Sequence, residues 1–546
     1  MEDASNRLRV CGPQPPIRLS RFCDIAAAVL LALSLVFVLW TFRDYGTTLD
    51  EWVNQESGEL TLKLYASLGA DQRANHFIDL YYYGPWYQVL VALAYKVLPS
   101  ASFDTRHLLG GLAGVVTTIA SWLLGRQTLG AAGGLLTLIF LLTTGYFVGN
   151  IFNDPIDTPF MLAMTVSLVT INRYLRHIDE PGWEKALWVG LAVGLAFATR
   201  IGGVMFLLNL ALCQTIYLAS RRPANTSSPR PTVILRRFFA HDLLIGLVAL
   251  VVTYLLWPWL WPDPIRLLLQ AAEHFSRMPV EFDFPFFGLT VRSTDLPAWY
   301  IPGNLLVRLP EAFLFGLLVL PIAWLATRRV AWEPKDLRRT LVRLNVGLGW
   351  ILPLAIVIVV RPVLYDGFRH LLFILPPLAV SAAGGVLLVL GRWRRLGIAF
   401  AFALAVSLGF SVSTLIGLHP YEYLYFNRFV GGPAGAEGHF VMDYWGATAA
   451  EAVRTLARRL SAEQGEDVSN RPIAVEIYNP WDDDFTRGVI PPAWRAVLDA
   501  SSHPDFAILY GGNSTEYASY PVYAEVTRLG IVLATVRDLR HGPVTP

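Results

Sequence analysis

Apolar runs near residues 25–42, 84–99, 107–125, 130–148, 159–175, 185–199, 201–219, 241–258, 308–327, 344–361, 369–391 and 397–417 dominate the first three quarters of the chain. Several approach the roughly 20 residues a helix needs to cross a bilayer core of about 30 Å. A chain of 546 residues that is 54% hydrophobic and 16% charged has more apolar surface than a soluble core absorbs, since soluble domains carry about a quarter charged residues. The expected fold is therefore a polytopic α-helical membrane protein. The first run is too long for the apolar part of a cleaved leader and lacks a small-residue cleavage site, so it reads as a retained anchor.

The formal net charge of +2 gives no lead on partners, and no basic stripe with interleaved aromatics suggests nucleic acid. Cys11, Cys23 and Cys213 are too widely separated for a disulfide framework or a ligand cluster, and read as small packing residues.

Short loops rich in Lys and Arg should face the cytoplasm. Three qualify: 221–237, 328–343 and Arg392–Arg395. With the basic N-terminus (residues 1–24) also inside, an even number of crossings must lie between it and 221–237, yet seven runs do. The weakest is 84–99, which opens on Gly-Pro and holds Lys96 among interfacial aromatics, so it is laid on the outer surface. About 11 transmembrane helices remain within 25–417. Segments 43–106, 149–158 and 259–307 become outer loops, and 418–546 becomes an extracytoplasmic domain. There a helix-like "GATAAEAVRTLARRLSAE" precedes strand-like "PIAVEIY", "DFAILYG" and "YPVYAEV", which reads as a small α/β domain. A single helix over 185–219 would run about 50 Å, too long for the core, so the chain should break at Arg200-Ile201-Gly202-Gly203 and expose Arg200 on the outer side.

That topology gathers Asp50, Glu51, Asp154, Asp157, Arg200, Arg369 and His370 at helix ends on one face. Ionisable groups in membrane segments cost roughly 2.5–3.5 kcal/mol each on insertion scales and are functional by default. Each also has a bland reading: the acidic pair opens an interfacial helix, Asp154 starts a helix, Arg200 pairs with a carboxylate or snorkels, Arg369 is a flanking anchor and His370 a core histidine. Trp299 and Tyr300 read either as a lid over the site or as an aromatic belt. Asp482–Asp484 reads as a solvated turn, and Asn513-Ser514-Thr515 fits a glycosylation acceptor pattern. A carboxylate with one or two arginines at a membrane edge suits displacement of a lipid-bound phosphate. The arginine fork matches phosphate oxygens, and the carboxylate takes the proton of an attacking hydroxyl.

The stretches "TTLDEWVNQ", "YYYGPWYQVLVAL", "NIFNDPIDTPFML", "GLAFATRIGGVMFLL", "LPAWYIPGNLLVRLPE" and "YDGFRHLLFILPPLAV", over roughly 25–400, resemble those of the GT-C membrane glycosyltransferases. The similar branch is that of protein O-mannosyltransferases and lipid A aminoarabinose transferases, which use polyprenyl-phosphate sugars. The later "HPYEYLYFNRFVGGPAGA" looks like a bacterial continuation. The resemblance implies a GT-C fold, Asp50 as base and Asp154 as the second-loop acid. The family usually has Lys where this chain has Arg200, and Arg-Tyr where it has Arg369-His370. Segment 259–307 is too short for the β-trefoil of the eukaryotic mannosyltransferases, which points to a bacterial or archaeal member.

The resulting expectation is an inverting glycosyltransferase. It would move a sugar from a polyprenyl-phosphate donor to a hydroxyl of a glycan, lipid or protein acceptor at the outer face of the cytoplasmic membrane. Asp50, Glu51 and Asp154 form the expected catalytic set; Asp157, Arg200, Arg369, His370, Trp299 and Tyr300 form the substrate-binding set. No Gly-rich nucleotide fingerprint follows a strand, and a lipid-delivered donor requires none. No organic cofactor is called for, and a divalent metal between the acids stays an open alternative. The rival reading is a polytopic transporter or lipid flippase, which predicts internal pseudo-symmetry and charges at the bilayer midplane; neither is visible.

Overall fold

A computed structural model describes residues 17–100, 103–220, 230–276, 278, 280–327, 337–392, 394–478, 483–497, 503–511 and 517–543. Cys11, Arg221, Arg222, most of the 328–343 loop, Asp482 and the Asn513–Thr515 pattern lie outside them.

Helices α1 (Ile17–Thr41), α2 (Glu51–Ala66), α3 (Trp86–Val97), α4 (Asp104–Leu129), α5 (Ala131–Leu142), α6 (Gly145–Asn153), α7 (Asp157–Leu175), α8 (Trp183–Phe197), α9 (Met205–Ser220) and α10 (Pro231–Leu256) form the first half. Then come α11 (Pro264–Ser276), a hairpin of β1 (Asp283–Phe286) and β2 (Leu289–Arg292), α12 (Tyr300–Arg308), α13 (Glu311–Thr327), α14 (Leu337–Val360), α15 (Leu375–Arg392) and α16 (Arg394–Leu418). Every apolar run of the sequence becomes helix. Among the described residues, seven helical stretches are long and apolar enough to cross a membrane by themselves, and eight if the α5–α6 pair, bent by 67°, counts as one. The chain is a multi-pass membrane protein. The further expected crossings correspond to α7, α8 and α13, of 19, 15 and 17 residues, and α7 is enclosed mostly by neighbouring helices. Run 84–99 yields only the 12-residue α3, too short to span.

The break at Arg200 is present. Helix α8 stops at Phe197, Ile201–Val204 forms one 3-10 turn, and α9 starts at Met205. Helices α8 and α10 run side by side in the same direction, because Gly190 lies against Val248 and Gly194 against Val252. At one end of this pair Arg237 donates to the Asp179 carbonyl at 2.6 Å. At the other lie Arg200 and Trp257, and Tyr65 of α2 donates to the Leu255 carbonyl at 2.8 Å. The acidic pair of the first loop, Arg200 and the end of α10 thus share the face opposite the basic segment.

After α16 the chain crosses this face through short turns and α17 (Gly432–Ala436), then enters α18 (Ala447–Gln464), β3 (Ala474–Ile477), α19 (Asp483–Val489), β4 (Arg495–Ala496), β5 (Phe506–Tyr510), β6 (Val522–Arg528) and β7 (Ile531–Asp538). The strands form one sheet in the order β4-β3-β5-β7-β6. Strand β3 pairs in parallel with β4 and β5, while β5 and β6 pair antiparallel to β7. The expected helix and three strands are therefore α18, β3, β5 and β6. Strand β7, "IVLATVRD", joins them with alternating burial, and the sheet covers α18 on one side. The described cysteines, Cys23 and Cys213, are buried and unpaired.

Candidate active site

Asp50 ends the loop from α1 and stands at the N-terminus of α2, where the helix dipole favours a negative charge. Its carboxylate lies 3.7 Å from Nη1 of Arg369, with side-chain exposures of 35% for Asp50 and 7% for Arg369. Asp50 thus keeps one open side. Its neighbour points the other way: Glu51 is fully buried, accepts the Thr48 amide at 2.7 Å and sits 2.6 Å from His107 Nε2 on α4. The acidic pair therefore splits, one acid toward the aqueous edge and one clamping the start of α2.

Arg369 opens a 3-10 turn (Arg369–Ile374) that leads into α15. The preceding Asp366 and Gly367 both have positive φ, 49° and 63°, a conformation that costs a non-glycine residue roughly 1–2 kcal/mol and swings the turn inward. The guanidinium lies 4.8 Å from the Tyr365 ring, 4.9 Å from Tyr444 and 4.8 Å from Trp445, contacts worth about 0.5–2 kcal/mol each. Its Nε has no hydrogen-bond partner. His370 meets the edge of Tyr365 at 4.8 Å, and its Nδ1 is likewise unpartnered.

Arg200 reaches Asp157 at 2.6 Å and lies 5.2 Å from the ring of Tyr83. Tyr83 is held there by a close backbone approach: Gly84 donates to the Thr199 carbonyl at 3.2 Å, and a Cβ on Gly84 would fall 1.5 Å from the Ala198 oxygen. Gly84→Ala is therefore expected to push the Tyr81–Pro85 segment off α8, costing on the order of 1–3 kcal/mol. A thermal-shift measurement on the solubilised protein reads this as a lower midpoint.

Asp154 follows α6 and accepts the amides of Ile156 at 3.1 Å and Asp157 at 2.7 Å through Oδ1, so it does shape the start of α7. Its other oxygen is buried without a partner. Burial first, then the charge of Asp157, push its carboxyl up to about 8, against the pull of Arg369 and Arg200; that pull ties the two arginines to one electrostatic cluster. Burial likewise lifts Asp366 to about 6. A carboxyl raised in the fold takes up protons on folding, so the stability it confers is complete below its unfolded value of about 4 and is lost as pH climbs toward the folded value. The thermal midpoint should therefore fall between about pH 5 and 8, and Asp154→Asn should flatten that slope.

Trp299 packs on Phe286 and Phe287 at 4.6 and 5.3 Å yet stays 45% exposed, whereas Tyr300, on Phe286 and Phe284 at 4.9 and 5.9 Å, is buried beside the Asp366–Gly367 turn that precedes Arg369. Among the described residues no group of three or more His, Cys, Asp or Glu side chains is arranged to hold a metal ion. A small cleft with a cavity volume of about 10 Å³, room for roughly one water, adjoins the cluster, bounded by Asn54, Tyr83, Gln88, Ile156 and Thr199.

Against this geometry, residues 84–259 match the family described as dolichyl-phosphate-mannose-protein mannosyltransferase. The matched stretch contains Asp154, Asp157 and Arg200 and leaves out Asp50 and Arg369. No curated protein matches the chain. Similar solved structures include ArnT from Cupriavidus metallidurans bound to undecaprenyl phosphate, 13% identical, with 95% of this chain and 99% of that chain covered and a TM-score of 0.48. Another is the oligosaccharyltransferase AglB from Archaeoglobus fulgidus, in complex with an inhibitory peptide and a dolichol-phosphate. It is 13% identical over 96% of this chain and 75% of that chain, with a TM-score of 0.46.

Sequence reasoning missed Tyr83, Tyr365, Tyr444, Trp445 and His107. Tyr83 and Tyr365 lay within quoted motifs but carry no charge. Tyr444 and Trp445 follow the last membrane helix, and nothing local to "VMDYWGA" marks them.

Proposed function

We propose that the protein transfers a sugar from a polyprenyl-phosphate donor to an acceptor hydroxyl, with inversion, at the outer face of the cytoplasmic membrane. The observation that carries this reading is the partly open Asp50 carboxylate 3.7 Å from buried Arg369. The matched mannosyltransferase family, named for a lipid-phosphate sugar donor, supports it over the Asp154–Arg200 side of the cluster.

Asp50 removes the acceptor hydroxyl proton as the oxygen attacks the anomeric carbon. The carbon–oxygen bond to phosphate breaks, and its electron pair leaves on the lipid phosphate. A single displacement of this kind inverts the anomeric centre. Arg369 and Arg200, with His370 beside them, receive the phosphate charge; fixed donors of this kind act where charge develops and need no reorganisation. Asp157 aims Arg200, and burial, which raises the Asp154 carboxyl, favours its neutral form and so lessens its repulsion toward an arriving phosphate. Glu51, locked on His107, fixes the first turn of α2 and with it the Asp50 backbone. Exposed Trp299 offers an aromatic face to the acceptor, and buried Tyr300 packs behind it on the hairpin. No step is routed through a metal.

The test supplies purified protein with polyprenyl-phosphate sugars of several kinds and measures release of the carrier phosphate. Release with at least one donor is expected. Release with none, from protein that binds the carrier, overturns the transferase reading.

A further inference from the structure

The segment Asp443–Ala447 enters the membrane-edge cluster from beyond the last membrane helix. Asp443 is buried and anchors it, accepting the Tyr423 hydroxyl at 2.5 Å and the Thr448 hydroxyl and amide at 2.5 and 3.1 Å. Trp445 accepts the Leu49 amide at 3.0 Å, one residue before Asp50. Gly46 lies so close to the Ala447 carbonyl that a Cβ there would fall 2.3 Å from it. The rings of Tyr444 and Trp445 both face Arg369, and Arg369 Nη2 donates to the Tyr444 hydroxyl at 3.4 Å. One strap thus touches the loop that carries Asp50 and the guanidinium that faces it.

The hydrogen bond from Arg369 uses a lone pair of the Tyr444 oxygen and leaves the O–H proton unspent. Accepting from a cation also polarises that O–H, because hydrogen bonds in series strengthen one another. The chemistry presented beside Arg369 is therefore a neutral hydroxyl donor next to a guanidinium that three aromatic rings surround.

We propose that Tyr444 is a ligand-binding residue of the membrane site, donating its phenolic proton to the lipid-linked phosphate that Arg369 grips. The domain after α16 thereby completes a site whose charges come from the membrane helices. This inference rests on the phosphate-carrier reading given above. Without the strap, Arg369 would keep its charge but lose two of its three rings and the paired donor.

The experiment uses the full chain in nanodiscs and measures binding of undecaprenyl phosphate, with undecaprenol, which lacks the phosphate, as the control for chain recognition alone. Wild type is expected to prefer the phosphate. Tyr444→Phe, which keeps the ring on Arg369, should bind it about tenfold more weakly with undecaprenol binding unchanged. Tyr444→His, which restores a ring-borne donor, should recover most of that loss. Each variant is read on its monodisperse, folded fraction. Equal phosphate affinity in wild type and Tyr444→Phe overturns the Tyr444 assignment and leaves the transferase reading standing. No preference for the phosphate in wild type overturns both.

Discussion

Asp50→Asn is expected to lower sugar transfer by roughly 10²–10⁴-fold, the usual span for losing a positioned general base, while binding of the carrier holds within a few-fold. The two outcomes separate because Asn keeps the shape at the head of α2 and an oxygen facing Arg369, yet cannot accept a proton from the acceptor. Asp50 is singled out among the acids by its surroundings. Glu51 is fully buried and committed to His107 and the Thr48 amide; Asp157 is spent on Arg200; Asp154 holds two amides through one oxygen and has its other oxygen sealed from water. Asp50 alone of the four combines an open side with a cation. Initial rates and carrier affinity measured on the same preparations check this. A wild-type rate in Asp50→Asn removes the base assignment and leaves the family likeness intact.

Much of this arrangement was legible in the sequence because membranes simplify the physics. Long apolar runs have to be helices, so α1, α4, α10, α14, α15 and α16 followed from composition, and the break at Arg200 followed from the length of 185–219 together with Gly202-Gly203. One-face placement of Asp50, Asp154, Asp157, Arg200 and Arg369 followed from crossing parity. The pairing inside the cluster did not. Asp50 and Glu51 are adjacent in sequence and equally acidic, and only the packing of α4 shows that His107 claims the second. Asp154 met its bland description, since one oxygen accepts two amides at the start of α7, while its other oxygen is buried without a hydrogen-bond partner. Trp299 and Tyr300 are adjacent in sequence, but only the packing of the phenylalanine hairpin shows that Tyr300 is buried while Trp299 stays exposed. The strap at Tyr444-Trp445 depends on contacts spanning hundreds of residues, between a loop before α2 and a turn after α16, and no local pattern encodes a contact of that order.

The same packing predicts unequal consequences for the two arginines. Arg369→Met should cost transfer on the order of 10²–10³-fold, as removal of a preorganised charge-stabilising donor does. It should also weaken carrier binding, because Met fills the space between Tyr365, Tyr444 and Trp445 without any donor. Arg369→Lys should recover only part of this: an ammonium keeps the charge but presents no planar fork, and it stacks less well among three rings. Arg200→Lys is expected to be far milder, within about tenfold of wild type. Arg200 is positioned by an ion pair with Asp157 at 2.6 Å and one ring, Tyr83, and a point charge on a flexible stem satisfies both. Steady-state kcat and KM for the polyprenyl-phosphate sugar, measured across the three variants, check the ranking. Equal losses in Arg200→Lys and Arg369→Lys would mean that the aromatic cage contributes nothing to how Arg369 meets the phosphate, and that charge alone, wherever it sits along this membrane edge, sets the rate.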